Sequence, residues 1–116
     1  MGRIAMPVGF LIAASALMVA TASAMDTTDK NTDRPGGNYK KFVTFDGLSC
    51  KMYCSDERQK CRAWAWVPAS KVRASERAQV GDQGMCYLKN RVPDPVPDKN
   101  VFSGKMDPPA PKLDPG

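Results

Sequence analysis

Small and large side chains alternate strictly over residues 61–66, and a period of two residues predicts a β-strand. The sides of this strand differ in size: one carries Cys61, Ala63 and Ala65, and the other carries Arg62, Trp64 and Trp66. Small side chains let a helix approach a sheet closely, so we expect a helix over the alanine side. The tryptophans are therefore predicted to pack on the opposite side. Pro68 ends the strand because proline has no N–H to donate.

Three more segments have strand-like patterns, namely residues 39–45, 85–89 and 101–104. In the second of these, Cys86 and Leu88 share one side and Tyr87 lies on the other. The third is predicted to close an edge of the sheet. Residues 69–84 form a long polar insert that is predicted to be mostly loop, and the prolines at 93, 95 and 97 predict a stiff extended connection.

One helix is predicted between the first two strands. Asp46 has the short polar side chain that caps helix N-termini. Cys50 and Cys54 are four residues apart, so they share one face of a helix and can both reach a sheet beneath it. Leu48 and Met52 are predicted to flank that face, and the helix is predicted to end near residues 59–60.

The beginning of the 116-residue chain has the features of an export signal. Arg3 precedes an apolar run over residues 8–20, and Ala22-Ser23-Ala24 fits the small-x-small pattern that signal peptidase cleaves. Residues 1–24 are therefore predicted to be a signal peptide, with an uncleaved N-terminal anchor as the alternative.

Composition divides the rest of the chain into three parts. Residues 25–34 are polar without an apolar period, which predicts a flexible leader. Residues 35–105 are predicted to be the folded domain. Residues 106–116 are rich in proline and predict a disordered tail, with a ligand for a proline-binding module as the alternative.

Export would place the four cysteines in an oxidising compartment, which favours two disulfides. A bond between Cys50 and Cys54 would tie the helix to itself, and a crossed pairing needs the helix to run the other way over the sheet. The nested pairing is therefore predicted, with bonds Cys50–Cys86 and Cys54–Cys61. Zinc is disfavoured because the chain has no Cys-x2-Cys pair and no histidine, so we expect no metal and no cofactor.

Charge and composition also argue against several classes of function. The formal net charge of +5 is spread among acidic residues without a basic run or a nucleic-acid motif. Without histidine no Ser-His or Cys-His relay can form. Asp56 and Glu57 are adjacent on the predicted helix, so they do not face each other as a catalytic pair. We therefore expect neither nucleic-acid binding nor enzymatic activity.

Several motifs follow one another along the chain: Asp33-Arg-Pro-Gly-Gly-Asn-Tyr39, Cys50-x3-Cys54-x6-Cys61-Arg-Ala-Trp-Ala-Trp66, Cys86-Tyr-Leu-Lys89 and Ser103-Gly104. In this order they resemble the PAN/apple domain family, in particular its short bacterial form with four cysteines. The resemblance implies an α+β fold in which one helix packs on a curved antiparallel sheet of about five strands. It also implies a non-catalytic module that binds protein or carbohydrate. The long insert 69–84 and the lack of the outer disulfide of eukaryotic apple domains depart from that pattern.

The expected function is that of a secreted or periplasmic binding module for a protein or a polysaccharide. Its candidate ligand-binding residues are Trp64, Trp66, Tyr87, Lys71, Arg73 and Arg77. Aromatic rings suit sugar rings and protein hot spots, but the same aromatic face is also compatible with a covered second core. An accessory or inhibitory protein that docks on an envelope protein or a protease is the alternative function.

Overall fold

The computed structural model describes residues 26–108 of the chain. The predicted signal peptide and most of the predicted proline-rich tail lie outside the described residues. The elements of the described part are β1 (Asp29–Asp33), β2 (Asn38–Thr44), α1 (Gly47–Asp56), β3 (Ala63–Pro68), α2 (Arg77–Val80), β4 (Gly84–Lys89) and β5 (Val96–Lys105). The insert also contains two short 3-10 turns, Ala69–Lys71 and Ala74–Glu76.

The five strands form one antiparallel sheet in the order β1-β5-β3-β4-β2. β3 lies at its centre and pairs with β4 on one side and β5 on the other. The predicted architecture of an antiparallel α+β sheet with two disulfides is confirmed. The insert adds the four-residue helix α2 to the single helix predicted.

The N-terminal edge of the sheet differs from the prediction. Residues 25–34 were expected to be a flexible leader, but Asp29–Asp33 form β1. An edge strand needs only backbone hydrogen bonds on one side, so its polar sequence carries no apolar period. β5 is longer than the predicted 101–104 and is not an edge strand, because β1 covers it. The ordered domain therefore begins before residue 35.

α1 begins where the sequence predicts. The backbone N–H of Ser49 donates to Asp46 Oδ1 over 2.8 Å, so Asp46 is the N-cap. The helix ends at Asp56, three or four residues before the predicted end. Its buried residues are Cys50 and Cys54, whereas Leu48 is 64% exposed and Met52 is 60% exposed. The prediction that these two residues pack beside the cysteines is wrong.

The two disulfides lie between α1 and the sheet. They join Cys50 to Cys86 and Cys54 to Cys61, each with a Cα–Cα distance of 5.3 Å. This is the nested arrangement that the sequence favours. α1 is thereby bonded both to β4 and to the segment that leads into β3.

The tryptophans lie on the helix side of the sheet, which reverses the prediction. Trp64 is opposite Leu88 and Trp66 is opposite Cys86, and residues directly opposite each other point to the same face. Since Cys86 is bonded to α1, that face is the helix face. The prediction failed because it extended the alternation through Cys61, whereas β3 begins only at Ala63. The small alanines consequently point away from the helix.

Each face of the sheet carries its own cluster of buried side chains. On the helix face, Trp64 and Leu88 are fully buried among the four cysteines. Gly104 leaves room for this packing, because a Cβ atom there would lie 2.8 Å from Trp64 Nε1 and 2.0 Å from the Thr27 carbonyl oxygen. On the opposite face, the insert folds back and places Val72 and Val80 against Met85 of β4.

Candidate ligand-binding cleft

The structure separates the six residues that the sequence proposed as a ligand site. Trp64 is fully buried on the helix face. Trp66 is half-buried on the same face, and its Nε1–H donates to the Thr44 carbonyl oxygen over 3.3 Å. Tyr87 projects from the opposite face because it pairs with Ala65. A single Trp-Trp-Tyr surface therefore does not exist.

A cleft on the face opposite α1 brings three of the six residues together. It has a volume of about 450 Å³ and contains Tyr87, Lys71 and Arg73 among its lining residues. Its apolar part comes from Val67 of β3 and Val72 of the insert. We call this feature the insert cleft, since the insert 69–84 forms one of its walls and the sheet forms its floor.

The opposite wall of the insert cleft is the turn between β1 and β2. Gly36 and Gly37 adopt positive φ angles of 95° and 74°, a conformation that glycine adopts without strain. A Cβ atom at Gly36 would lie 2.8 Å from Arg91 Nη2, so glycine also allows Arg91 to pack closely against the turn. Asn38, at the start of β2, contributes its side chain to the same wall.

A second depression of about 340 Å³ adjoins the insert cleft. The two share Asn38, Arg73 and Tyr87, so they form one continuous groove along the sheet. Lys41 and Glu76 line the second depression, and the ion pair between them attaches the insert to β2.

Arg77 lies outside the groove. Its guanidinium donates to the Val72 carbonyl oxygen over 3.0 Å, which stabilises the fold of the insert. Of the proposed basic residues, Lys71 forms an ion pair with Asp98 of β5 across the rim. Arg73 belongs to none of the ion pairs among residues 26–108. Its guanidinium is therefore the more available of the two charges in the cleft.

Lys89 is a lining residue that the ligand-site prediction did not include. It is only 2% exposed, and its Nζ donates to the Gly36 carbonyl oxygen over 3.0 Å and to Asn38 Oδ1. The Tyr87 ring centroid lies 5.7 Å from Nζ. The sequence contains a pattern that could have identified Lys89, because the period of two in β4 places it on the same side as Tyr87.

Burial changes the acid–base behaviour of the cleft floor. It lowers the pKa of Lys89 from 10.5 to about 8. The nearby negative charge of Asp33 opposes this shift, and the positive charge of Arg91 adds to it. Burial also raises the pKa of the Tyr87 hydroxyl above its usual value of 10.0. At neutral pH the cleft therefore presents a buried ammonium group beside a neutral phenol.

The described part of the chain offers neither a metal-binding cluster nor a free thiol. Residues 26–108 contain no cluster of three or more His, Cys, Asp or Glu side chains that would hold a metal ion. All four cysteines are in disulfides, so none offers a thiolate nucleophile. Among these residues no helix is both long and apolar enough to span a bilayer.

The helix side carries a different kind of surface. Four large apolar side chains that are not among the predicted ligand-binding residues are at least half exposed in or just before α1: Phe45, Leu48, Met52 and Tyr53. Beside them is an apolar hollow of about 390 Å³ whose lining includes Leu48, Trp66 and Phe102. We call this region the helix patch. It lies on the opposite side of the sheet from the insert cleft.

Comparison with known proteins identifies the family. The family model described as PAN domain matches residues 32–89, which is half of the chain. No curated protein and no solved structure matches. PAN domains are generally modules that bind protein or carbohydrate, and they are typically non-catalytic. The matched residues include both disulfides, the insert, and every lining residue of the insert cleft named above except Asp98 of β5. This chain belongs to the PAN domain family.

Proposed function

We propose that this protein is an exported, non-enzymatic module that binds carbohydrate in the insert cleft. Export is supported by the N-terminal sequence pattern and by the two disulfides, which persist in oxidising compartments. The binding role is supported by the family, and the choice of carbohydrate by the chemistry of the cleft.

The observation that carries this proposal is the half-buried Tyr87 ring at the floor of a cleft with polar walls. Sugar rings present C–H groups that pack on an aromatic face, together with hydroxyl groups that need donors and acceptors around that face. Asn38 and Asp98 offer acceptors at the rim, and Arg73 offers donors. The ring is held by its packing on the Val72, Val80 and Met85 cluster, so little rotamer freedom is lost on binding.

A glycan array followed by pull-down on insoluble polysaccharides tests the proposal. The wild-type protein should be retained, and Tyr87→Ala should lose retention. Tyr53→Ala is the matched control, because Tyr53 is a half-exposed tyrosine of α1 in the helix patch. Thermal melts of both variants check folding. Retention that is lost with Tyr53→Ala but kept with Tyr87→Ala would contradict the proposed site.

The helix patch favours a second candidate function, that of an accessory or inhibitory protein docking on an envelope protein or a protease. Phe45 is 74% exposed and Leu48 is 64% exposed, and exposed apolar groups that lie together are typical of protein interaction sites. If this role applies, Leu48→Glu should abolish capture of the partner and Tyr87→Ala should not. The opposite result would support the insert cleft.

A further inference from the structure

We infer that the insert cleft selects acidic saccharides, with the carboxylate of a uronic acid bound between Lys89 and Arg73. This inference rests on the proposed carbohydrate-binding function and adds the chemical class of the ligand. It follows from three features of the cleft, which are a buried ammonium group that forms no ion pair among residues 26–108, a second cation that lines the same cleft, and acidic residues among the other lining side chains.

The first feature is the state of Lys89. Its ammonium group is almost fully buried, and both acceptors described for it, the Gly36 carbonyl and the Asn38 side chain, are neutral. No carboxylate of residues 26–108 lies within ion-pair distance of Nζ. Buried charges in proteins are normally paired, because removing a charge from water costs several kcal/mol. An anionic ligand would supply the missing partner.

The second feature is the position of Arg73. It lines both the insert cleft and the adjoining depression, and its side chain is exposed. Guanidinium groups bind carboxylates through two parallel N–H donors. Tyr87 lines the same two depressions, so one sugar ring stacked on the phenol would have its substituents near both cations. Lys71 is less suited to this role because Asp98 already neutralises it.

The third feature distinguishes a saccharide from an acidic peptide. Asp33 and Asp98 line the insert cleft, and Glu76 lines the adjoining depression. Asp98 and Glu76 are already paired with Lys71 and Lys41. Asp33 belongs to none of the ion pairs among residues 26–108, so its carboxylate would repel a chain with several negative charges close together. All three carboxylates can accept hydrogen bonds from the hydroxyl groups of a sugar. A single carboxylate on a hydroxyl-rich ring fits this mixture of charges better than an acidic peptide.

The pKa of Lys89 gives the inference a pH signature. The charged and titratable groups that face Lys89 are Asp33 of β1, Arg91 after β4 and the Tyr87 hydroxyl. Because burial holds its pKa at about 8, Lys89 loses its charge as the pH rises above that value. Affinity for an anion should therefore fall between pH 7 and pH 9.5, and binding at pH 8 should be accompanied by proton uptake.

Isothermal titration calorimetry on the whole protein tests the inference. The probes are disaccharides of galacturonate, glucuronate and mannuronate, each compared with its uncharged methyl ester. We expect the free acids to bind about tenfold or more tightly than their esters, as for a hydrogen bond to a charged group. Lys89→Met and Arg73→Gln should each remove most of that preference. Lys99→Gln, which removes one positive charge at an exposed position outside the cleft, should retain it.

Each outcome separates this inference from the function on which it rests. Equal binding of acids and esters would overturn the acidic preference and leave carbohydrate binding intact. Failure of every acid and ester to bind, with capture of acidic peptides instead, would overturn both. Lys89→Met also removes hydrogen bonds to the turn before β2, so Arg73→Gln, which leaves those bonds in place, decides the result if the first variant does not fold.

Discussion

The two faces of this sheet are built from the same strands but are covered in different ways. On the helix face, two disulfides and the fully buried Trp64 join α1 to the sheet. On the other face, the insert covers only part of the sheet and leaves a charged cleft. The covalent bonds stabilise the helix side, whereas the opposite side contains a buried lysine and exposed charged residues.

This division has a direct consequence for mutagenesis. β3 and β4 contribute alternate residues to each face, so neighbouring positions belong to different faces. Trp64 and Ala65 point in opposite directions, as do Cys86 and Tyr87. Changes on the helix face should lower the free energy of unfolding, whereas changes on the cleft face should mainly alter ligand binding.

The disulfides account for one of the two largest expected effects. The Cys50–Cys86 bond spans 36 residues and the Cys54–Cys61 bond spans 7. Restriction of the unfolded chain predicts losses in the free energy of unfolding of about 4 kcal/mol for Cys50→Ala/Cys86→Ala and about 2.5 kcal/mol for Cys54→Ala/Cys61→Ala. Urea denaturation of the two double variants measures the difference. Equal losses, or a larger loss for the shorter loop, would show that loop length does not control stability here.

The second comparison uses one aromatic residue from each face. Trp64→Ala removes a fully buried side chain and should lower the free energy of unfolding by about 3–5 kcal/mol. Tyr87→Ala removes a half-buried ring and should lower it by about 1–2 kcal/mol, while abolishing carbohydrate retention. Thermal unfolding of both variants tests this order. A larger loss for Tyr87→Ala would show that the cleft face is a main source of stability.

The third prediction concerns the cleft face at alkaline pH. Since the pKa of Lys89 is about 8 in the folded protein and 10.5 in the unfolded chain, the unfolded state binds more protons between these values. The free energy of unfolding should therefore rise with pH, by on the order of 2 kcal/mol between pH 8 and pH 10. The raised pKa of Tyr87 acts only at higher pH. Chemical denaturation across this range should show the rise in the wild-type protein. In Lys89→Met the free energy of unfolding should not rise with pH. The same rise in Lys89→Met would rule out Lys89 as its source.

The smallest expected effect is the loss of the ion pair between Asp26 and Arg58 at acidic pH. Asp26 accepts hydrogen bonds from Arg58, which lowers the pKa of the Asp26 carboxyl from 3.8 to about 2. Its contribution to stability is present above pH 3.8 and is lost as the pH falls towards 2. Both side chains are about one third exposed, so we expect the ion pair to contribute about 1 kcal/mol or less to the free energy of unfolding. Denaturation of wild-type protein and Asp26→Asn at pH 6 and pH 2 should converge in acid. A constant difference between them would remove Asp26 as the titrating group.

Much of the fold follows from local sequence patterns. The strands β2 to β4 and the Asp46 cap are encoded by alternation and capping, which act within a few residues, whereas the sheet architecture was expected from the resemblance to the PAN/apple family. β1 was missed because an edge strand held by backbone hydrogen bonds has no apolar period. The direction of Trp64 and Trp66 was missed because the point at which β3 begins decides which face each residue takes, and the chain between Cys61 and Ala63 is not yet strand.

The candidate site was only partly predictable for a related reason. Tyr87, Lys71 and Arg73 were identified by residue type, and the fold brings them together. Lys89 was not identified as a site residue, because a lysine at the end of a strand is usually solvated. In the structure its Nζ instead donates to the Gly36 carbonyl oxygen and to Asn38, which are far away in sequence. The structure thus supplies long-range contacts that no local pattern contains.

The most direct test of the account is a nuclear magnetic resonance titration of the isotope-labelled protein with a galacturonate disaccharide. The account predicts shifts confined to the cleft face, at the amides of Asn38, Arg73, Tyr87 and Lys89, with the Trp66 indole and the Leu48 amide unchanged. Shifts at Trp66 and Leu48 without shifts at Tyr87 and Lys89 would place the ligand on the helix face and contradict the account.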